Sequence, residues 1–188
     1  MQDKRYAGDV ARMRSPERMA RLEVARVLDL ALEGLTAATA LDVGTGTGIW
    51  AEAFAERGLA VTGIDVREDM LAAARVHVPL GDFRSGDMES LPFEDSAFNL
   101  VFMGHVLHEA RDLRTALREA RRTANLRVLA LEWPPEVGEM GPPADHRLQP
   151  HEVLTAARAE GFAQAEAIRL EHMLLYRLDV RHLQPWCV

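Results

Sequence analysis

Three glycines stand at alternate positions, Gly44, Gly46 and Gly48, straight after a short apolar run that carries Asp42. The next apolar run, LAVTGI, ends in a second acid, Asp65. Glycine at that density strips side chains from a surface that something must approach closely, and it frees the backbone for turns other residues avoid. A helix starting just after such a loop also offers N–H donors to an anionic group. Three chemistries use loops of this kind. A triphosphate loop needs GxxxxGK followed by Ser or Thr, because its lysine meets phosphate charge. Residues 44–49 hold no lysine, and the only one in the chain is Lys4, so that chemistry is excluded. The dinucleotide pattern GxGxxG puts Ile49 at the third position when counted from Gly44, and Ala51 when counted from Gly46. Alanine is sometimes accepted there, which leaves a nicotinamide site open. Asp65 does not discriminate, since a carboxylate accepts both ribose hydroxyls in either cofactor class.

The whole string, LDVGTGTG followed by VTGID and then GDMESLPFEDSAFNLVFMGHVLHE at residues 86–109, resembles the class I S-adenosylmethionine-dependent methyltransferases. It is similar in particular to the small-molecule type related to the ubiquinone/menaquinone biosynthesis methyltransferases. The resemblance covers about residues 11–162. It implies S-adenosylmethionine as methyl donor, with S-adenosylhomocysteine as product, and places Gly44, Thr45 and Gly46 under the amino-acid part of the donor. Asp42 would organise that loop or reach the donor's amino group, and Asp65 would hold the ribose. Val66 would cover the adenine, Asp87 would lie near its amino group, and Met88 would cap the ring. Met103 ends the fourth strand, bordering the methionine part. Two departures from the family's pattern stand out: Asn99 replaces a common Asp, and Thr123-Ala124-Asn125-Leu126 replaces a Lys-Pro-Gly-Gly turn.

Further along are groups that could move a proton. His105 and His108 are three apart, with Glu109 next, so that both rings share a face if the segment is helical. The order HxxHE is not the HExxH of zinc hydrolases, so no metal is expected. His105 at the acceptor edge is the first candidate for taking a proton from an O–H or N–H nucleophile, while His108 reads as a helix-packing residue. Glu132, beside Trp133 at the end of a strand, is a second candidate, as base, orienting acceptor or structural cap. Asp145, His146, Arg147 and His151 lie in or after a proline-rich stretch; Asp145 and His151 read as loop-turn and helix-start residues, while His146 reads as a solvated loop residue that reaches an acceptor only if the loop folds inward, and Arg147 as a solvated residue or a partner for an acidic acceptor. Tyr6 and Arg18 would approach the cofactor only if the N-terminal segment folds over it.

These groups need elements to position them. Ser15-Pro16-Glu17 opens a helix running to Gly34, with a hydroxyl cap, proline in the first turn and acid at the positive end. Strands at residues 40–43, 59–64, 83–85, 98–103 and 126–133 alternate with helices at 49–57, 67–76, 105–123 and 151–161. The tail at residues 163–180 suggests an antiparallel pair. The expected fold is therefore α/β, a Rossmann-like doubly wound seven-stranded, mostly parallel sheet with an antiparallel C-terminal edge pair. One domain is expected over residues 1–188, with residues 1–35 as an N-terminal helical segment and 134–150 as an irregular loop near the acceptor. With no room for a large covering domain, closure must come from the N-terminal segment, that loop or a second subunit.

The 188 residues carry 22 basic and 29 acidic side chains, a net charge of -7, which argues against a general nucleic-acid binder. The expected partner is a small-molecule methyl acceptor. A protein or RNA methyltransferase, a nonenzymatic S-adenosylmethionine-binding protein and a nicotinamide oxidoreductase are the rivals. Cys187 is the single cysteine, no apolar run reaches 18 residues, and the first residues do not read as a signal peptide. A cytoplasmic monomer or homodimer is expected.

Overall fold

The computed structural model describes residues 10–136 and 140–182; Lys4, Tyr6 and Cys187 lie outside them. Seven strands form one sheet: β1 (Thr39–Val43), β2 (Ala60–Asp65), β3 (Asp82–Ser85), β4 (Phe98–Gly104), β5 (Ala124–Glu132), β6 (Gln164–Arg169) and β7 (Leu174–Asp179). Their order across the sheet is β3-β2-β1-β4-β5-β7-β6. The first five run parallel, while β7 is antiparallel to both β5 and β6. The expected doubly wound sheet and antiparallel edge pair are therefore present.

Near-continuous apolar runs form the central strands because both faces are covered. Along β4 successive side chains point to opposite faces, so Leu100 and Phe102 enter one core while Val101 and Met103 enter the other. Helices α2 (Val24–Leu32), α3 (Ile49–Glu56) and α4 (Glu68–His77) cover the first face through Leu28, Phe54 and Leu71. On the second, α5 (Leu113–Thr123) and α6 (Pro150–Ala159) do so through Leu117 and Val153. No described helix is long and apolar enough to cross a membrane.

Two expected helices are broken. The Ser15 cap forms, its Oγ accepting the Arg18 N–H at 3.3 Å, but α1 (Pro16–Arg21) is separated from α2 by Glu23 in the left-handed region, at φ 47°. The helix expected from His105 to Thr123 splits as well. His105 has φ 57°, a short 3-10 turn covers Leu107–Glu109, and α5 starts only where the Asp112 carboxylate caps the Arg114 N–H at 3.0 Å. Helical periodicity cannot register a single left-handed residue, and the break releases the segment after β4 to line a cavity.

The two departures from the family pattern sit at the far end of the sheet. The Asn99 side chain accepts the Ala38 and Thr39 N–H groups at 2.8 and 3.2 Å, fastening the start of β1. Thr123 ends α5 and Ala124 begins β5 with no intervening turn. Arg127, 3 % exposed, pairs with Asp179 at 2.6 Å and donates to the carbonyls of Leu30, Ala31 and Glu33, closing the free C-terminal end of α2.

Candidate active site

In an open parallel sheet, ligands bind beyond the C-terminal strand ends, where neighbouring strands send their chains to opposite faces. Here β1 and β4 are those neighbours, and a cavity of about 1280 Å³ opens over the ends of β1 to β5. That exceeds the roughly 300–1,000 Å³ typical of a small-molecule pocket, and leaves room for two ligands side by side.

The first half of the cavity is built from backbone. Gly44, Gly46 and Gly48 all have positive φ, between 52° and 79°. At Gly44 a Cβ would lie 2.6 Å from Val106, so this position also needs glycine for space. Asp65 bridges the loop to the next strand end: Oδ2 accepts the Gly46 N–H at 2.9 Å and Oδ1 accepts the Arg67 N–H at 2.9 Å. Each carboxylate oxygen has a second lone pair to offer. Burial pushes the Asp65 pKa up, against the pull of those N–H groups.

Asp42 plays a different part. It is 1 % exposed and stands behind the cavity wall, its Oδ2 accepting the Thr45 hydroxyl at 2.7 Å and the Ala51 N–H at 3.1 Å. Of the two roles expected of Asp42, organising the loop is the one this position serves: the carboxylate sets the loop's shape from below. Burial pushes its pKa up to about 7, and the nearby Asp65 charge adds to the effect. Thr45 and Met103 are likewise buried behind the wall, at 5 % and 0 % exposure.

Val66, Asp87 and Met88 do line the cavity. Val66 is 46 % exposed, an apolar surface facing the opening. The Asp87 carboxylate is occupied within the protein, accepting the Glu89 N–H at 3.0 Å and pairing with Arg111 at 2.9 Å. From the N-terminal segment, Arg14 donates to the Thr47 carbonyl at 2.9 Å and pairs with Glu52 on α3 at 2.6 Å. That anchor lays Met13 over Gly46 and brings Arg18 to the wall, as the expected closure from this segment requires.

The second half is built from side chains. The His105 ring tilts against Trp133, 5.1 Å between centroids, and its Nε2 lies 3.3 Å from the Met173 sulfur. Burial, with help from Arg18 and His108, holds its pKa well below the usual imidazole range. Burial thus favours the neutral form of His105, the first candidate base expected from the sequence. Glu132 is 1 % exposed and lies behind His108 instead of in the wall. Its Oε2 is 2.7 Å from His108 Nδ1, and its Oε1 accepts the His108 N–H at 3.3 Å. Of the three roles open to Glu132, orienting acceptor is the one its position serves. His108, read from the sequence as packing, lines the cavity.

Residues 140–147 complete the wall. Arg147 is 7 % exposed and donates to the carbonyls of Pro134, Glu136, Met140 and Pro142, tying residues 134–136 to residues 140–142. Gly141, at φ 103°, lies so close to the Trp133 ring that a Cβ would be 2.7 Å from it. His146 reaches the cavity on this loop, whereas His151 sits exposed in the first turn of α6. Among the described residues no group of three or more His, Cys, Asp or Glu side chains is placed to hold a metal ion.

Residues 41–125, from the first strand to the start of the fifth, match the family described as "Methyltransferase domain". Over that stretch this chain is similar to a methyltransferase domain. A demethylmenaquinone methyltransferase of Chlorobaculum tepidum is 39 % identical over 92 residues, which are 48 % of this chain and 38 % of that protein. A malonyl-[acyl-carrier protein] O-methyltransferase of Serratia marcescens is 37 % identical over 82 residues, 44 % of this chain and 32 % of the relative. The matches thus span well under two thirds of the curated relatives' length. The crystal structure of a SAM-dependent methyltransferase from Aquifex aeolicus shares the fold, with a TM-score of 0.79 and 21 % identity, covering 92 % of this chain and 97 % of that one. The matched residues hold the glycine loop, Asp65, Asp87 and His108, while Glu132 and Arg147 lie beyond them.

Proposed function

We propose that this protein transfers a methyl group from S-adenosylmethionine to a small-molecule acceptor and releases S-adenosylhomocysteine. The observation that carries the reading is the Asp65 carboxylate, held across the glycine loop by the Gly46 and Arg67 N–H groups with lone pairs left for ribose hydroxyls. Gly44 and Gly46 let the donor's amino-acid part lie against backbone, and the start of α3 offers it N–H donors. Val66 and Met88 give the adenine its apolar faces.

When bound, the sulfonium supplies an already activated methyl group, so the protein's share is alignment and exclusion of water. An acceptor lone pair forms the new bond to the methyl carbon while the carbon–sulfur pair returns to sulfur, and no covalent enzyme intermediate is needed. The acceptor occupies the half of the cavity walled by Val106, His108, Trp133 and Pro142. The relatives named for demethylmenaquinone and malonyl-[acyl-carrier protein] support a small or carrier-borne acceptor. A net charge of -7 gives an RNA acceptor no support. A single cysteine suits a reducing cytoplasm.

Calorimetric titration with S-adenosylmethionine, S-adenosylhomocysteine and NADH tests the reading. Saturable binding of the two sulfur nucleosides, lost in a folded Gly46→Arg variant, is expected. Tight NADH binding with neither of the others would overturn it.

A further inference from the structure

Resting on that donor reading, we propose that Asp42 is a proton switch beneath the donor loop: it holds a proton in the free protein and gives it up when the donor's ammonium group settles on the loop. Two carboxylates grip consecutive residues there. Asp42 Oδ2 accepts the Thr45 hydroxyl at 2.7 Å, and Asp65 Oδ2 accepts the Gly46 N–H at 2.9 Å. The Thr45 N–H, donated to the Ile64 carbonyl at 2.8 Å, fastens the loop to the strand that ends in Asp65. Asp65 stands in the cavity wall, whereas Asp42 is 1 % exposed. A carboxylate fixed behind the loop acts on a ligand in front of it through charge, not through contact.

That charge has little support. Asp42 Oδ1 is buried with no hydrogen-bond partner among the described residues, while Oδ2 has the Thr45 hydroxyl and the Ala51 N–H. The flanking strands bring no compensating cation: opposite Asp42 stand Gly63 of β2 and Phe102 of β4, and the end of β2 adds a second acid, Asp65. The charged group in the first turn of α3 is Glu52, a third acid. The cations beside these acids pair elsewhere, Arg14 with Glu52 and Arg67 with Asp69. Burial and like charge both favour the protonated carboxyl, in keeping with a pKa pushed up to about 7.

An ammonium group laid on the loop reverses that balance. Gly44 and Gly46 carry no side chain, so main chain alone lies between the front of the loop and the layer beneath. A nearby cation lowers a carboxyl pKa, and linkage then requires the ligand to bind the deprotonated protein more tightly. The proton passes to solvent and no other bond changes. Because the pKa of the free protein is raised, affinity is weakest below it and climbs as pH rises towards 7. Asp42 thereby selects for the amino-acid part of the ligand without touching it.

Calorimetric titration with S-adenosylhomocysteine at pH 6, repeated in phosphate, MES and bis-Tris, reads the protons exchanged from the slope of binding enthalpy against buffer ionisation enthalpy. At that pH the ligand's own amino group is already charged, and a carboxyl with a pKa of about 7 is about nine-tenths protonated. Wild type is expected to release more than about half a proton per ligand, and its affinity should rise about tenfold between pH 5.5 and 7.5. In Asp42→Asn the release should fall below about 0.2 and the pH effect below about twofold. 5′-Methylthioadenosine, which keeps ribose and adenine but lacks the amino-acid part, should release less than about 0.2 from wild type. Equal release with that nucleoside would assign the proton to ribose contact at Asp65 and overturn the proposal. Release unchanged in Asp42→Asn would overturn it too, by assigning the proton to another group such as a cavity histidine. Should Asp42→Asn fail to fold, ¹³C NMR of the wild-type Asp42 carboxyl decides: its titration midpoint should drop by at least about one pH unit with S-adenosylhomocysteine, and an unmoved midpoint would overturn the switch. Binding without proton exchange refutes this proposal alone, whereas no binding of S-adenosylhomocysteine refutes the donor reading beneath it.

Discussion

The two halves of the cavity are made of different materials. Over β1 and β2 the wall is main chain, shaped by glycines and fastened by two acids that lie within 24 residues of each other in sequence. Over β4 and β5 it is side chains: a histidine from one strand end, a glutamate from the next, and a loop folded around Arg147. A backbone surface presents N–H groups and close approach regardless of what it binds, which suits a ligand that never changes. A side-chain surface can be rebuilt without disturbing the sheet, which suits an acceptor that differs between relatives named for a quinone precursor and for an acyl carrier.

If that division holds, substitutions in the two halves should separate by readout. Gly44→Val should have the largest effect, because it forces a left-handed β-branched residue and overlaps Val106. The two costs together amount to about 3 kcal/mol, so urea denaturation should show a weakened fold and calorimetry no nucleoside binding. Asp65→Ala should leave the fold intact and weaken S-adenosylhomocysteine ten- to a hundredfold. That corresponds to about 1.5–3 kcal/mol for lost hydrogen bonds to a charged group. Arg147→Met should do the reverse: residues 134–147 become about tenfold more susceptible to limited proteolysis, while nucleoside affinity shifts less than about threefold. A large loss of donor affinity in that variant would break the comparison.

A pH-dependent effect concerns Asp42, whose folded pKa near 7 lies above the ordinary 3.8. Between those values the folded state holds the proton more tightly than the unfolded chain does. The contribution of Asp42 to stability is therefore greatest at low pH and falls as pH rises towards about 7. Asp42→Asn removes that slope, at most about 1.4 kcal/mol per pH unit. Denaturation at pH 5 and pH 8 should show the variant comparing more favourably with wild type at the higher pH.

The same division explains what could be read in advance. The glycine spacing and the acids at 42 and 65 are local, because a tight turn and a strand end leave their marks within a few residues. Even there depth escaped the reading: the Asp42, Thr45 and Met103 side chains are buried behind the wall. His108 and Glu132 were each noticed, yet their pairing depends on β4 and β5 lying side by side. The Arg147 staple had no signal at all, since backbone carbonyls accept from any residue type.

Sequence alone determined the alternation of strand and helix, the edge pair and the donor loop, since period, turn residues and the needs of a close backbone approach are all written locally. Only the tertiary structure decided that His108 is the histidine backed by a carboxylate, that burial disfavours a charge on His105, and which segments close over the ends of the strands. Those outcomes depend on burial and on distances between residues remote in the chain, and neither quantity exists until the sheet is assembled.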